Sequence, residues 1–295
     1  MATSNNHFPV CYHHVEVDGA IRVFYREAGD TSRPVLLLLH GYPSSSFQFR
    51  ELIPLLADKF HIVAPDFPGF GFTTVPAERQ YVYSFDNMAK TVEAFVDALQ
   101  LKYYTMYVFD YGAPVGLRLA LAHPERVTGF ISQNGNAYEE GLGDAWAPIR
   151  AYWKDETPEN RDVVRKNVLH YEGTRWQYVH GVPDAVLERM APETFFLDQA
   201  LMDVGNNKEI QLDLFLDYAN NLKLYPQFQQ FFRDTQVKSL IIWGKYDPFF
   251  TPPGAEAYKR DNKNAEVELL ETGHFALETH VEYIAQRIRE VFLTK

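Results

Sequence analysis

The chain has 295 residues, with 28 basic and 39 acidic side chains, a formal net charge of −11, and 46% apolar and 23% charged residues, the balance of an ordinary globular protein. Its single cysteine, Cys11, excludes an internal disulfide or a thiolate metal cluster, and acidity without basic blocks argues against a nucleic-acid surface. No apolar run reaches the ~20 residues of a membrane span, and Met1–Pro9 lacks the charged and apolar regions of a signal peptide, so a cytoplasmic protein is expected. Aromatics are high at 15%, with 22 Phe and 18 Tyr, which suggests an apolar pocket carrying hydroxyl tips.

Residues 14–28 alternate around Asp18-Gly19 and predict a hairpin. Pro34–His40 is a continuous apolar run, the pattern of a strand covered on both faces. Phe47–Ala57 is helical by spacing, and His61–Asp66 is a short strand. Ser84 is the expected N-cap of a helix running to Leu101. Tyr104–Phe109 predicts a strand, Ala113–Ala122 a helix and Val127–Ser132 a sixth strand. Residues 137–234 are helix-like without a clear strand, after which strands resume at Ser239–Trp243 and Ala265–Leu270, and His280–Leu293 is an amphipathic helix. The alternation implies an α/β fold with a doubly wound, mostly parallel sheet. Residues 1–136 and 235–295 would form its core and 137–234 an inserted helical cap. Ligands of such sheets bind beyond the carboxyl ends of the strands, where the cap would roof the site.

Four turns at strand ends carry the chemistry. They are His40-Gly41-Tyr42-Pro43, the stretch Val108–Gly116 containing Asp110, Trp243–Asp247, and Gly273-His274-Phe275. A lone Asp at a strand end is usually an N-cap and a lone His usually structural. The case rests on the conjunction of Asp110, Asp247 and His274, in that order, each following a strand.

These residues resemble the α/β-hydrolase superfamily, whose nucleophile sits on a sharp strand-to-helix turn followed in chain order by an acid and a His. Gly112 and Ala113 suit the tight turn; Val108 departs from the usual Gly before the nucleophile, as it does in haloalkane dehalogenases. Asp110 stands where esterases have Ser, so the resemblance is to the aspartate-nucleophile branch. A carboxylate suits an epoxide or a carbon–halogen bond, giving an ester that water then hydrolyses. The resemblance implies that His274 activates that water, Asp247 orients His274, and the peptide N–H groups of Tyr42 and Tyr111 form the oxyanion hole. Ser44, Ser45 and Ser46 are read as capping residues, and Asp66–Gly71 as a turn without chemistry.

His-Gly-Tyr-Pro is similar to epoxide hydrolases, which donate protons to the ring oxygen from two cap tyrosines. Tyr152 and Tyr218 resemble that pair, the second match being loose by one position, with Tyr178 and Tyr225 as competitors. Haloalkane dehalogenases place a halide-donating Trp after the nucleophile and haloacetate dehalogenases a basic residue; this chain has Tyr111. Aromatic donors in the cap keep dehalogenation open, and Trp153, Trp176 and Tyr178 are expected to bind substrate. Epoxide hydrolysis ranks first and dehalogenation second, followed by a cofactor-free oxygenase and a ligand receptor. No metal or other cofactor is expected: no His pair flanks a Glu at helical spacing, and Gly69-Phe70-Gly71 lacks the third glycine of a dinucleotide motif. The expected partner is a small-molecule substrate, with no nucleic acid and no membrane; homodimerisation stays open.

Overall fold

The computed structural model describes residues 8–293; the segment Met1–His7, weighed above as a leader, lies outside them. The alternating runs form the expected hairpin of β1 (Cys11–Val17) and β2 (Ile21–Ala28). Six further strands follow: β3 (Val35–Leu39), β4 (His61–Pro65), β5 (Tyr104–Phe109), β6 (Val127–Gln133), β7 (Ser239–Gly244) and β8 (Ala265–Leu270). They join one sheet in the order β1-β2-β4-β3-β5-β6-β7-β8, in which β1, β2 and β4 pair antiparallel and all other neighbours are parallel.

The apolar runs are continuous because both faces are covered. Leu37 and Leu39 of β3 face a core with the helices Phe85–Ala98, Gly112–Ala122 and Pro252–Asp261. Leu36 and Leu38 face a second core with the helices Leu52–Leu56 and Ala276–Leu293. The chain runs from β3 outward to β4, then crosses back to place β5 on the other side of β3. The carboxyl ends of β3 and β5 therefore flank a topological switch point.

Two helices differ from the sequence expectation. Phe47–Ala57 is a 3-10 turn, Ser46–Phe49, followed by a separate helix at Leu52–Leu56. Pro54 lies in the first turn of this second helix, where a backbone N–H needs no helical partner, whereas in one continuous helix it would lack the bond back to Arg50. The last helix begins at Ala276 rather than His280 and is kinked at His280 (φ −133°, ψ 27°); its first turn is largely buried, which hides the amphipathic pattern there. Ser84 accepts a hydrogen bond from the Asn87 N–H at 3.2 Å, the expected N-cap.

Between β6 and β7 lie the helices Ala147–Lys154, Pro158–Val168, Tyr171–Val179, Asp184–Leu187, Pro192–Met202, Asn207–Asp217 and Ala219–Thr235. Among the described residues this insert contains no strand, only an isolated bridge from Leu142 to Phe250. It packs on the loops at the carboxyl ends of the parallel strands: Phe215 and Tyr218 against Tyr111, Trp146 against Phe250, and Tyr178 against Phe275.

Candidate active site

The β3–β5 register pairs Leu39 with Val108, which brings Gly41-Tyr42 alongside Asp110. The approach is so close that a Cβ on Gly41 would lie 2.4 Å from the Asp110 side chain, and one on Gly112 would lie 2.2 Å from the Leu39 carbonyl oxygen. Asp110 itself adopts φ +48°, a left-handed conformation that costs a non-glycine residue about 1–3 kcal/mol. The turn thereby lifts its carboxylate off the end of β5 to face the insert.

The Tyr42 N–H donates to Asp110 Oδ1 at 2.6 Å, and the Tyr111 N–H also acts on this carboxylate. The other oxygen, Oδ2, is the one nearest His274, with Nε2 at 3.9 Å. That is beyond hydrogen-bond reach, so Oδ2 is not held by the imidazole. His274 Nδ1–H donates to Asp247 Oδ2 at 2.6 Å. Asp247 in turn accepts from Asn134 Nδ2 at 2.7 Å and from the Phe249 N–H at 2.8 Å.

Burial pushes the Asp110 carboxyl up to about 7, although His274 and the two peptide N–H groups pull the other way. Burial alone would lower the His274 pKa, but Asp247 and then Asp110 outweigh it, and the net shift is upward. His40 beneath the turn is buried and pushed down to about 3 by desolvation, so it is neutral. Its Nδ1–H donates to the Gly41 carbonyl at 3.1 Å and its Nε2 accepts from the Phe67 N–H at 2.9 Å, which pins the Gly41-Tyr42 loop.

Asp110, Asp247, His274, Tyr42 and Tyr111 are thus brought together; the insert residues divide. Tyr218 is fully buried, packs on Tyr111 and Trp146, and feels the charge of Asp110. Its hydroxyl is 3.4 Å from that of Tyr225, which lies 3.3 Å from Asn136 Nδ2. Tyr152 is buried in the same core as Tyr218, and its hydroxyl accepts from Arg161 Nη1 at 2.9 Å; no hydrogen bond or ring stacking joins it to Asp110 or Tyr218. Trp153 stacks on Tyr218 with centroids 6.1 Å apart, but its indole N–H is bonded to the Phe215 carbonyl at 2.7 Å. Trp176 sits at the surface, 39% exposed, against Phe249. Tyr178 is turned elsewhere: its ring stacks on Phe275 at 3.7 Å and its hydroxyl donates to Asp198 at 2.5 Å, in the core on the opposite face of the sheet from Tyr218.

Asn134 escaped the sequence reading. It follows β6 in the left-handed region (φ +47°) and is clipped in place by the Gly244 N–H, which donates to its Oδ1 at 2.9 Å. The Asn134-Gly135 pair directly after a strand is the signal that could have marked it. Ser45 caps the 3-10 turn through the Phe47 N–H, and Asp66 accepts from the Ser46 and Phe72 N–H groups at 2.7 and 2.8 Å, both structural as read.

A family model described as alpha/beta hydrolase fold matches residues 34–281. An uncharacterized hydrolase of Saccharomyces cerevisiae is 48% identical over 286 residues, covering 95% of this chain and 97% of that protein. Haloalkane dehalogenase 2 of Mycobacterium tuberculosis is 33% identical over 136 residues, 46% of this chain and 41% of that protein. Among solved structures, a haloalkane dehalogenase from Bradyrhizobium elkani superposes with a TM-score of 0.75 at 20% identity, covering 97% of this chain and all of that one.

Proposed function

The chain belongs to the α/β-hydrolase family, and we propose that within it the protein opens epoxides through a covalent ester on Asp110. Asp110 Oδ2 attacks a ring carbon and the C–O bond breaks, leaving an alkoxide that takes a proton from a tyrosine of the insert. The ester carbonyl is then Oδ1, which already receives the Tyr42 N–H, so the oxyanion of the next step forms against a donor that is already in place. Esterification also removes the negative charge that helps raise the His274 pKa. The imidazole then becomes the base that takes a proton from water as it attacks the ester carbonyl, and Asp247 stabilises the resulting imidazolium. Collapse breaks the ester C–O bond, the remaining proton of the attacking water passes to the leaving alkoxide to give the diol, and the imidazolium proton returns to the tyrosinate, so that Asp110, His274 and the tyrosine are all restored.

The observation that favours epoxide over halide is where the indole N–H groups go. A halide leaving group needs N–H donors in a dry pocket. Those of Trp146, Trp153 and Trp243 are bonded to the carbonyls of Phe249, Phe215 and Phe250 at 3.0, 2.7 and 2.6 Å, and Trp176, the fourth, is at the surface. Hydroxyls are available instead. Asn136 Nδ2 can only donate, so with Tyr225 oxygen accepting from it, the Tyr225 proton can point to Tyr218 and leave the Tyr218 proton for the substrate. Tyr152, whose oxygen already accepts from Arg161, likewise keeps its own proton to donate. Dehalogenation is the second reading, supported by the dehalogenase relatives alone.

A mixed panel of epoxides and halogenated alkanes and acids, assayed for diol and for halide, separates the two. Diol release without halide release is expected. Tyr218→Phe should lower epoxide kcat/KM by about 100-fold, within the range of general-acid catalysis. Halide release from the panel with no diol would overturn the reading.

A further inference from the structure

A cavity of about 200 Å³ opens between the insert and the loop after β7. Its walls are apolar, formed by Ala145, Ile149, Val168, Trp176 and Phe249, and its polar liners are the neutral amides Asn167 and Gln177. No charged side chain lines it. Two of these residues lead directly to the site. The Phe249 ring lies 5.8 Å from the His274 ring, and its backbone is fixed by the hydrogen bond to Asp247. The Val168 carbonyl accepts from the Tyr42 hydroxyl at 3.5 Å, and the Tyr42 N–H holds Asp110. Trp176 meets Phe249 edge-on at 5.7 Å and, being part-exposed, stands at the mouth.

We infer that this cavity is the subsite for the apolar substituent of a neutral substrate, and that Trp176 and Phe249 set the size it accepts. The inference rests on the epoxide reading and adds the substrate's charge and bulk. A charged substituent would lose its hydration there without gaining a partner, which is costly, whereas an apolar cavity of about 150 Å³ suffices for benzene. A phenyl ring therefore fits and a fused bicyclic ring meets Trp176. Ala145 marks where the volume can be removed: it lines the cavity, and Asp110, Asp247 and His274 do not.

The test compares propylene oxide, styrene oxide and glycidate (oxirane carboxylate) on the full chain, with binding of 1-phenyl-1,2-ethanediol followed by tryptophan fluorescence. Styrene oxide should exceed glycidate in kcat/KM by about 100-fold. Ala145→Phe should lower kcat/KM for styrene oxide and weaken diol binding by about tenfold, while propylene oxide stays within about twofold. Trp176→Ala, at a part-exposed position that tolerates truncation, should raise kcat/KM for a naphthyl-substituted epoxide about tenfold relative to styrene oxide. Equal rates on glycidate and styrene oxide, or variants that change all epoxides in parallel, would overturn the subsite. Diol binding lost in Ala145→Phe from a protein that opens no epoxide would instead leave the subsite standing and overturn the epoxide reading.

Discussion

Asp110 combines three properties set by its neighbours: a left-handed backbone, a buried carboxyl and one oxygen held by the Tyr42 N–H. Attack requires the carboxylate, and burial raises its pKa to about 7. The sign follows directly: below about pH 7 the group is protonated and cannot attack, so kcat/KM should fall about tenfold per pH unit toward acid and level off above about pH 8. The Tyr218 hydroxyl, pushed above its ordinary range by burial, stays protonated across that plateau. A kcat/KM profile flat from about pH 5 to 7 would show a carboxyl that titrates normally. Asn134 acts one step back, through Asp247. Asn134→Gly keeps the left-handed backbone and removes a donor to a charged acceptor worth about 1.5 kcal/mol, so kcat should fall about tenfold with KM little changed. The triad was legible because each member follows a strand in a fixed order. Asn134 was not, since its importance comes from the β6–β7 pairing that sets it beside Asp247.

Strand positions were readable wherever apolar runs were continuous, because a parallel strand covered on both faces needs no alternation to identify it. Helix ends were readable at Ser84, where capping chemistry is local, and misread at Phe47–Ala57, where the chain breaks at Arg50-Glu51 and a new helix starts two residues before Pro54. The 3-10 turn there is anchored at long range. Arg50 donates to both oxygens of Glu278 at 2.9 and 2.7 Å, and the Glu278 side chain is 3% exposed. This pair ties the segment after the Gly41-Tyr42 turn to the helix that follows His274, two elements 228 residues apart in sequence. Glu278→Ala strands a largely buried guanidinium and should destabilise the fold by about 3–5 kcal/mol, measured by urea unfolding. A loss under about 1 kcal/mol would place the pair with ordinary surface ion pairs.

At the scale of the molecule, a mostly parallel sheet collects four loops at one end and the helical insert closes over them. The insert could be read as helical from its lack of strands, but which tyrosines face Asp110 could not. Tyr152, Tyr178, Tyr218 and Tyr225 sit on four different helices or helix ends, and only packing turns Tyr178 to Phe275 and Tyr218 to Tyr111. Composition said nothing of pocket charge either: the net charge of −11 coexists with a cavity lined only by neutral groups. Among the described residues no helix is long and apolar enough to cross a membrane.

In the proposed mechanism a covalent ester forms on Asp110, and His274 is needed to hydrolyse it. His274→Gln should leave the attack intact and stall the second step. Incubated with styrene oxide and read by intact-protein and peptide mass spectrometry, the variant should gain the mass of one epoxide molecule, localised to Asp110. An unmodified Asp110 in that variant, while the unsubstituted protein converts the same epoxide to diol, would contradict the account.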